Sequence, residues 1–472
     1  MESCNLVQIM LKLKNNNHKA ATFRNKLLWP FLVYASFTGF TFFLVVSLWN
    51  RFLENPTLTS LESSLYSVSN IPFPGVSLCN LNKISKKRAQ EMAEYIVKKT
   101  GQNYTTIMSS FKFLGFLHDS NYDNSYNVDE IDEFQNILDS LQLKTTGLIR
   151  NLTTPCNDLL QLCRWKGHKV NCTNIFHMRL TFEGYCCVFN YVKNTSEWWM
   201  RRARDETLVL EYGSPGISNG LSVELNIDID DYIYTMMSST GVNVHIFIPS
   251  DYPDKSSGDL IENIADIGTE NFLEIIPTTV RAVRDVMNYA VDKRECLFEV
   301  EQRTQFGLYS QSDCFVDCRV RSMMTLCECI PFTVPLSDDS TVCTLRDLPC
   351  LARYKSKWSS LVPDKWHEYN IKELEDALLC SKTCYPSCDS TLYRVSASAV
   401  QINNSRFSNS TSIHIFYRDR YHNLYKQDVV YYWFEILSNY GGVFGISLGV
   451  SLISIIECLI YSFKLLIGKY RL

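Results

Sequence analysis

Gly449, Val450 and Ser451 interrupt an apolar run that reads from Ile436 to Ile456, and Glu457 closes that run. A glycine lets a helix unwind. The carbonyls it frees, together with a serine hydroxyl, can replace the water shell of a small cation. Unwound backbone at membrane depth is tolerated only where it lines water or is buried in protein, and an ionisable residue at the end of such a run marks an ion pathway. The residue types therefore predict cation passage. Gly441, Gly442 and Gly445 in the same run fit close packing between membrane helices. Gly445-Ile446-Ser447-Leu448-Gly449 also matches the G-x-S-x-G pattern of hydrolase nucleophiles. That pattern requires a strand–turn–helix setting with a later acid and histidine. Here it lies inside an apolar run with no histidine after it, so the sequence predicts no catalytic residue and no enzyme.

Cysteine is the second residue type with chemistry to offer. The chain has 18 cysteines, a density that points to an oxidising compartment or to metal. Cys314 and Cys318 are four apart, and Cys380, Cys384 and Cys388 repeat the spacing. On helices such residues form a stripe with neighbours about 6 Å apart, and two facing stripes can be zipped by disulfides. Cys327, Cys329, Cys343 and Cys350 continue such a ladder. A zinc cluster would need knuckle spacing or nearby histidines. Neither is present, so disulfides are expected and no metal site or cofactor is.

The elements that must position these residues follow from hydropathy. Leu27–Asn50, between Lys26 and Arg51, and Ile436–Ile456 are both uncharged, and each meets the roughly 20 apolar residues that a membrane span requires. The first exceeds the h-region of a signal peptide and ends on no small-residue cleavage site. Lys12, Lys14, Lys19, Arg24 and Lys26 precede the first run, and Lys464, Lys469 and Arg471 follow the second. Basic flanks place both ends in the cytoplasm. The expected order is a tail over 1–26, a membrane helix over 27–50, an outer domain over 51–435, a pore helix over 436–463 and a tail over 464–472. The terminal segments hold eight basic and two acidic residues, which leaves −10 on the outer domain out of a chain total of −4. This balance excludes a nucleic-acid partner and enriches cations near a pore mouth.

Two features agree with that topology. Sixteen cysteines, Cys79 to Cys388, lie between the two spans. So do the N-x-S/T glycosylation sequons at Asn103, Asn151, Asn171, Asn194, Asn403 and Asn409. Within the outer domain, the alternation of Leu221, Val223, Leu225, Ile227 and Ile229 predicts a strand, as does that of Val242, Val244, Ile246 and Ile248. Ser412–Tyr417 predicts a third strand and Glu130–Leu143 a helix. Asp228, Asp230 and Asp231 read as a solvated acidic face.

The second span, with its Gly-Gly step, G-x-S triplet and Glu, resembles the signature of the degenerin/epithelial sodium channel family. Phe73-Pro-Gly-Val-Ser-Leu-Cys-Asn-Leu-Asn82 is similar to that family's stretch after the first helix. Cys296, Cys-Phe-Val-Asp-Cys at 314–318, Cys-Glu-Cys at 327–329, Arg346-Asp-Leu-Pro-Cys350 and Cys384-Tyr-Pro-Ser-Cys388 resemble its cysteine-rich thumb, closest to the insect pickpocket branch. The resemblance implies an α+β membrane protein in which two transmembrane helices flank a disulfide-rich extracellular domain, hand-like, with a β-sheet palm and a helical thumb. It implies a homo- or heterotrimer of family subunits in the lipid of the plasma membrane. That channel would be amiloride-sensitive, sodium-selective and not gated by voltage, with Na⁺ as permeant ion and an unidentified extracellular ligand or stimulus.

Site residues come by the same route. Gly449, Val450 and Ser451 would form the selectivity filter. Ser438, Gly441, Gly442 and Glu457 would serve the pore and its gating, and Gly445 would contact the blocker. The implied pairs are Cys296–Cys388, Cys314–Cys384, Cys318–Cys380, Cys327–Cys350 and Cys329–Cys343. Cys79 would pair with Cys186 or Cys187, and Cys156, Cys163 and Cys172 receive no partner. Two departures stand out. In place of the family's His-Gly pair before the first helix the chain offers His18-Lys19, which implies the alternative of a non-conducting accessory or receptor-like subunit that needs a partner. Ser447 replaces a usually bulky apolar residue.

Overall fold

The computed structural model describes residues 20–54, 56–119, 128–192, 211–255, 257–304, 306–334, 341–360, 380, 383–402 and 410–469. The chain divides into two compact units. One comprises Met1–Thr59, Val283–Arg294 and Gln427–Leu472, and the other Ser60–Ala282 and Glu295–Lys426.

The larger unit is built chiefly on two sheets, beside two short two-stranded ones. The strands of the two main sheets are β1 (Thr57–Ser67), β2 (Gly75–Asn80), β3 (Leu160–Trp165), β4 (His168–Val170), β5 (Phe176–Thr181), β6 (Gly184–Phe189), β7 (Leu221–Asn226), β8 (Gly241–Phe247), β9 (Ile261–Asp266), β10 (Thr269–Ala282), β11 (Ser390–Gln401), β12 (Ser410–Tyr417) and β13 (Tyr421–Val429). The first sheet runs β1-β13-β10-β12-β7-β3-β4, with β11 paired to β10, and the second runs β9-β8-β2-β6-β5. β11 lies antiparallel to β10 over Thr269–Val280, while β12 is parallel to it over Glu270–Ile275. One core takes Val76, Leu78, Val242 and Val244 from the second sheet and Leu221, Val223, Ile275 and Ile413 from the first.

Sequence periodicity translates into these strands with two differences. The strand expected through Ile229 stops at Asn226. Asp228 accepts a hydrogen bond from the Asp230 N–H and caps a 3₁₀ turn at Ile229–Asp231, so Ile229 leaves the alternation and is 49% exposed. Asp231 belongs to no solvated face, because it is buried and accepts from the Lys87 N–H at 2.8 Å. On β8 the apolar positions face the core as the pattern predicts. The polar positions Asn243 and His245 are buried as well, at 1% and 0% exposure.

A second core is helical. It joins α2 (Lys86–Thr100), α3 (Tyr104–Asp119), α4 (Val128–Ser140) and α5 (Thr145–Leu152) through Ala93, Ile96, Phe111, Leu114, Phe134, Leu138 and Leu148. The local sequence explains these helices. The Ser85 hydroxyl caps α2 and Gly101 ends it at φ 73°. Asp129 and Glu130 occupy the first turn of α4, where a helix favours negative charge. Gly115 on α3 is required by contact, since a Cβ there would lie 2.3 Å from the Tyr234 ring.

α6 (Gln311–Cys327) starts at the Ser310 cap and carries Cys314 and Cys318 on one face; α7 (Leu348–Ser360) follows. The matching stripe does not continue as a helix. Cys380 is helical, but Cys384 and Cys388 lie beyond the last turn. The Cys384 N–H still reaches the Cys380 carbonyl at 3.1 Å, after which Pro386 prevents further helix.

The smaller unit holds α1 (Ala20–Glu54), α8 (Trp433–Leu448), α9 (Leu452–Lys469) and the Val283–Arg294 segment. Among the described residues one helix, Pro30–Glu54, is long and apolar enough to cross a membrane, with a mean hydropathy of 2.0 and 6% of that window buried. Trp433–Leu448 and Ile453–Tyr461 meet the same test only as a pair, bent by 77°.

Candidate ion-conducting segment

The bend falls at the G-x-S triplet, and each residue of the triplet has a task in it. Gly449 sits at φ 63°, a left-handed conformation that suits glycine, and ends α8. Its N–H returns to the Gly445 carbonyl at 3.1 Å, and the Val450 N–H to the Phe444 carbonyl at 3.4 Å. Ser451 starts the next helix: its hydroxyl accepts the Ser454 N–H at 3.2 Å and its carbonyl accepts the Ile455 N–H at 3.1 Å. The triplet is thus a helix stop fused to a helix start. Glu457 lies on α9 just beyond it and is exposed.

α8 presents Ser438, Gly441, Gly442 and Gly445 on exposed positions. No atom lies within 4 Å of where a Cβ would stand at any of the three glycines, so contacts inside this chain do not demand their small size. The side of α8 that is covered meets α1. Thr41 and Ser447 approach through their hydroxyl oxygens at 2.7 Å, and each hydroxyl also lies within hydrogen-bond distance of a carbonyl one turn back in its own helix, Phe37 and Val443. At the end of α1, the Phe52 ring meets Tyr289 of the Val283–Arg294 segment edge-on at 6.2 Å. The Val283 N–H donates to the Gln427 carbonyl, and the Gln427 side chain donates to the Arg294 carbonyl at 2.9 Å.

The family model for the amiloride-sensitive sodium channel matches residues 12–461. The chain belongs to this family. It is 23% identical to the sodium channel protein Nach of Drosophila ananassae over 89% of this chain and 77% of that one. It is 24% identical to pickpocket protein 28 of Drosophila melanogaster over 90% and 73%. The bile acid-sensitive ion channel of Mus musculus is 24% identical over 93% of this chain and 82% of its own. The family is one of ion channels rather than enzymes.

In this family member the cysteines of the larger unit are paired. Cys296–Cys388, Cys314–Cys384, Cys318–Cys380, Cys327–Cys350 and Cys329–Cys343 form a nested ladder. Cys79 takes Cys186, which leaves Cys187 to Cys156, and Cys163 pairs with Cys172. The five ladder pairs are those that the family resemblance implies, while the resemblance leaves the last three open. Cys163–Cys172 joins β3 to the turn after β4, a hairpin in which Cys163 stands opposite Val170. Asn103, Asn151 and Asn171 are exposed, and the Thr105 and Thr173 hydroxyls donate to the Asn103 and Asn171 side chains. Asn194, Asn403 and Asn409 lie outside the described residues, as do His18 and Lys19.

Two groups of residues escaped the sequence reading. One is Thr41, a hydroxyl residue inside an apolar span, whose only advance signal is that polarity. The other surrounds Glu183, which sits in the turn between β5 and β6. Its carboxylate takes Lys83 at 2.9 Å, the Asn243 amide at 2.5 Å and His245 at 3.2 Å, all buried. Burial pushes this carboxyl up, but the Lys83 charge and the hydrogen bonds outweigh it and hold the group well below the usual range. His118 bonds the Glu183 carbonyl at 3.1 Å; its own burial, with the Lys83 charge, lowers it to about 3.

Proposed function

We propose that this chain is a subunit of an amiloride-sensitive, sodium-selective, non-voltage-gated cation channel of the plasma membrane, gated through its extracellular domain in a sensory role. The observation that carries the reading is the break at Gly449–Ser451 within the second apolar segment of a sodium channel family member. α1 and the α8–α9 pair are the two membrane passes, both termini are cytoplasmic, and the larger unit is a hand-like ectodomain with the sheets as palm and α6–α7 as thumb. Gly449, Val450 and Ser451 strip water from Na⁺. Three copies, or this chain with other family subunits, surround the path. Ser438 and Gly442 line its outer part, Gly445 meets the blocker and Glu457 faces the exit. The Val283–Arg294 segment, held on Phe52 through Tyr289, transmits ectodomain movement to α1.

A phenylalanine at an exposed outer-pore position would be too large for a closed trimer. Ser438→Phe, expressed alone under voltage clamp, is therefore expected to pass a constitutive inward current that amiloride blocks and sodium replacement abolishes. A second reading, an accessory subunit that conducts only beside a partner, is favoured by His18-Lys19 where the family carries His-Gly. Silence from a variant shown to be at the cell surface would select that reading over the stand-alone channel.

A further inference from the structure

We propose that Thr41 on α1 is a positioning residue for the conducting break, acting through Ser447; the inference rests on Gly449–Ser451 being the filter. Thr41 is 2% exposed on a helix whose apolar residues are largely open, with Phe37 at 51%, Phe40 at 54% and Phe42 at 71%. The buried position on this face is thus a hydroxyl, and it meets a second hydroxyl. Ser447 stands two residues before Gly449 and four after Val443. The two hydroxyls and the Phe37 and Val443 carbonyls provide two protons and acceptors enough for both. One hydroxyl proton crosses between the helices and the other returns to a carbonyl of its own helix.

The position of this contact gives it a consequence. The last turn of α8 must hold the Gly445 and Phe444 carbonyls in place, because these receive the Gly449 and Val450 N–H groups that shape the turn into the triplet. Ser447 lies inside that turn. α9 beyond the triplet is bent away by 77°, so the end of α8 is steadied by α1 rather than by a continuing helix. In hydrocarbon a hydroxyl has no water to compensate it, so the pair holds the register between α1 and α8 as well as their spacing. The Thr41 side chain does not reach the ion; it fixes the turn whose carbonyls and serine do.

The test uses the full-length channel in the Ser438→Phe background and reads the Na⁺/K⁺ permeability ratio from the reversal potential. Thr41→Val keeps the shape and removes the hydroxyl. It is expected to lower the ratio by about threefold, the scale of one interhelical hydrogen bond in a membrane. Ser447→Ala should do the same, the double variant should add nothing, and Thr41→Ser should restore the parent value. A merely structural residue would alter surface amount and leave the reversal potential alone. Unchanged ratios in both single variants, while Ser451→Ala does shift the ratio, would overturn the proposal and spare the filter. Unchanged ratios in all three would instead sink the filter reading on which it rests. If the parent passes no current, Thr41→Cys with Ser447→Cys decides by oxidation in native membranes: ready cross-linking within one chain supports the clasp, and its absence overturns it.

Discussion

Glu183 shows how one buried side chain organises its surroundings. Lys83 and Glu183 are each 5% exposed, and removing one member of such a pair strands the other charge at about 3–5 kcal/mol. Glu183→Gln should therefore lower the thermal unfolding midpoint of the detergent-solubilised channel sharply. The same cluster gives a pH dependence. His118 titrates near 3 when folded and near its ordinary 6.5 when unfolded, so below 6.5 the unfolded chain takes up a proton that the folded one refuses. Stability thus falls with acidification, by about 1.4 kcal/mol between pH 7.5 and 5.5 from this residue. Glu183 adds to the loss only lower down: its depressed folded value contributes stability above the unfolded carboxylate range, and this is lost as pH falls through and below that range. His118→Gln should flatten the drop in midpoint between pH 7.5 and 5.5. An equal drop in the variant would show that another group dominates. None of this was legible in advance, because Asn243 and His245 occupy the polar places of an alternating strand and read as its solvent face. A buried polar partner, supplied from a turn distant in sequence, reverses that inference.

At the scale of elements, legibility followed the origin of each signal. β7, β12 and α4 declare themselves by periodicity because each buries one face against a core; β8 alternates in sequence although both of its faces are buried. The G-x-S triplet is also local, since a glycine that ends a helix and a serine that begins one need nothing beyond their neighbours. The cysteine ladder is different. Spacing of four suggested two helical stripes, and Pro386 ends one of them. The nested pairing came from family resemblance, because loop closure alone permits many orders. That nesting has an energetic consequence. With Cys314–Cys384 and Cys318–Cys380 formed, the outer rung Cys296–Cys388 closes only the short stretches Cys296–Cys314 and Cys384–Cys388, not its full separation of 92 residues. Replacing both cysteines of one rung by serine should then cost about 3 kcal/mol. Removing two adjacent rungs should cost more than the sum, since the survivor of each pair no longer shortens the loop of the other. A double-mutant cycle on unfolding midpoints of the full-length channel measures this, and strict additivity would refute it.

For the whole molecule, the proposed membrane unit of a single chain is incomplete in a specific way. α8 leaves Ile446 at 91% exposure, Trp433 at 75% and Leu437 at 66%, and lipid can cover such residues. Lipid does not explain three glycines and a serine on exposed positions of the same helix, with no atom within 4 Å of a Cβ at Gly441, Gly442 or Gly445. Small residues in a membrane helix permit close approach by another helix, and α1 meets α8 elsewhere, at Ser447. In the proposed assembly the approaching helix comes from another chain. A closed ring of identical helices would bring their small residues toward one axis, which is where a water-lined break is tolerated. Three subunits are expected: a fluorescently tagged channel should bleach in three steps in single-molecule images of the cell membrane. Gly442→Leu should reduce the three-step fraction, whereas Leu437→Ile, a volume-conserving change, should leave it unchanged. One-step bleaching of the wild-type chain would remove the ring, and with it the account of why these positions are small.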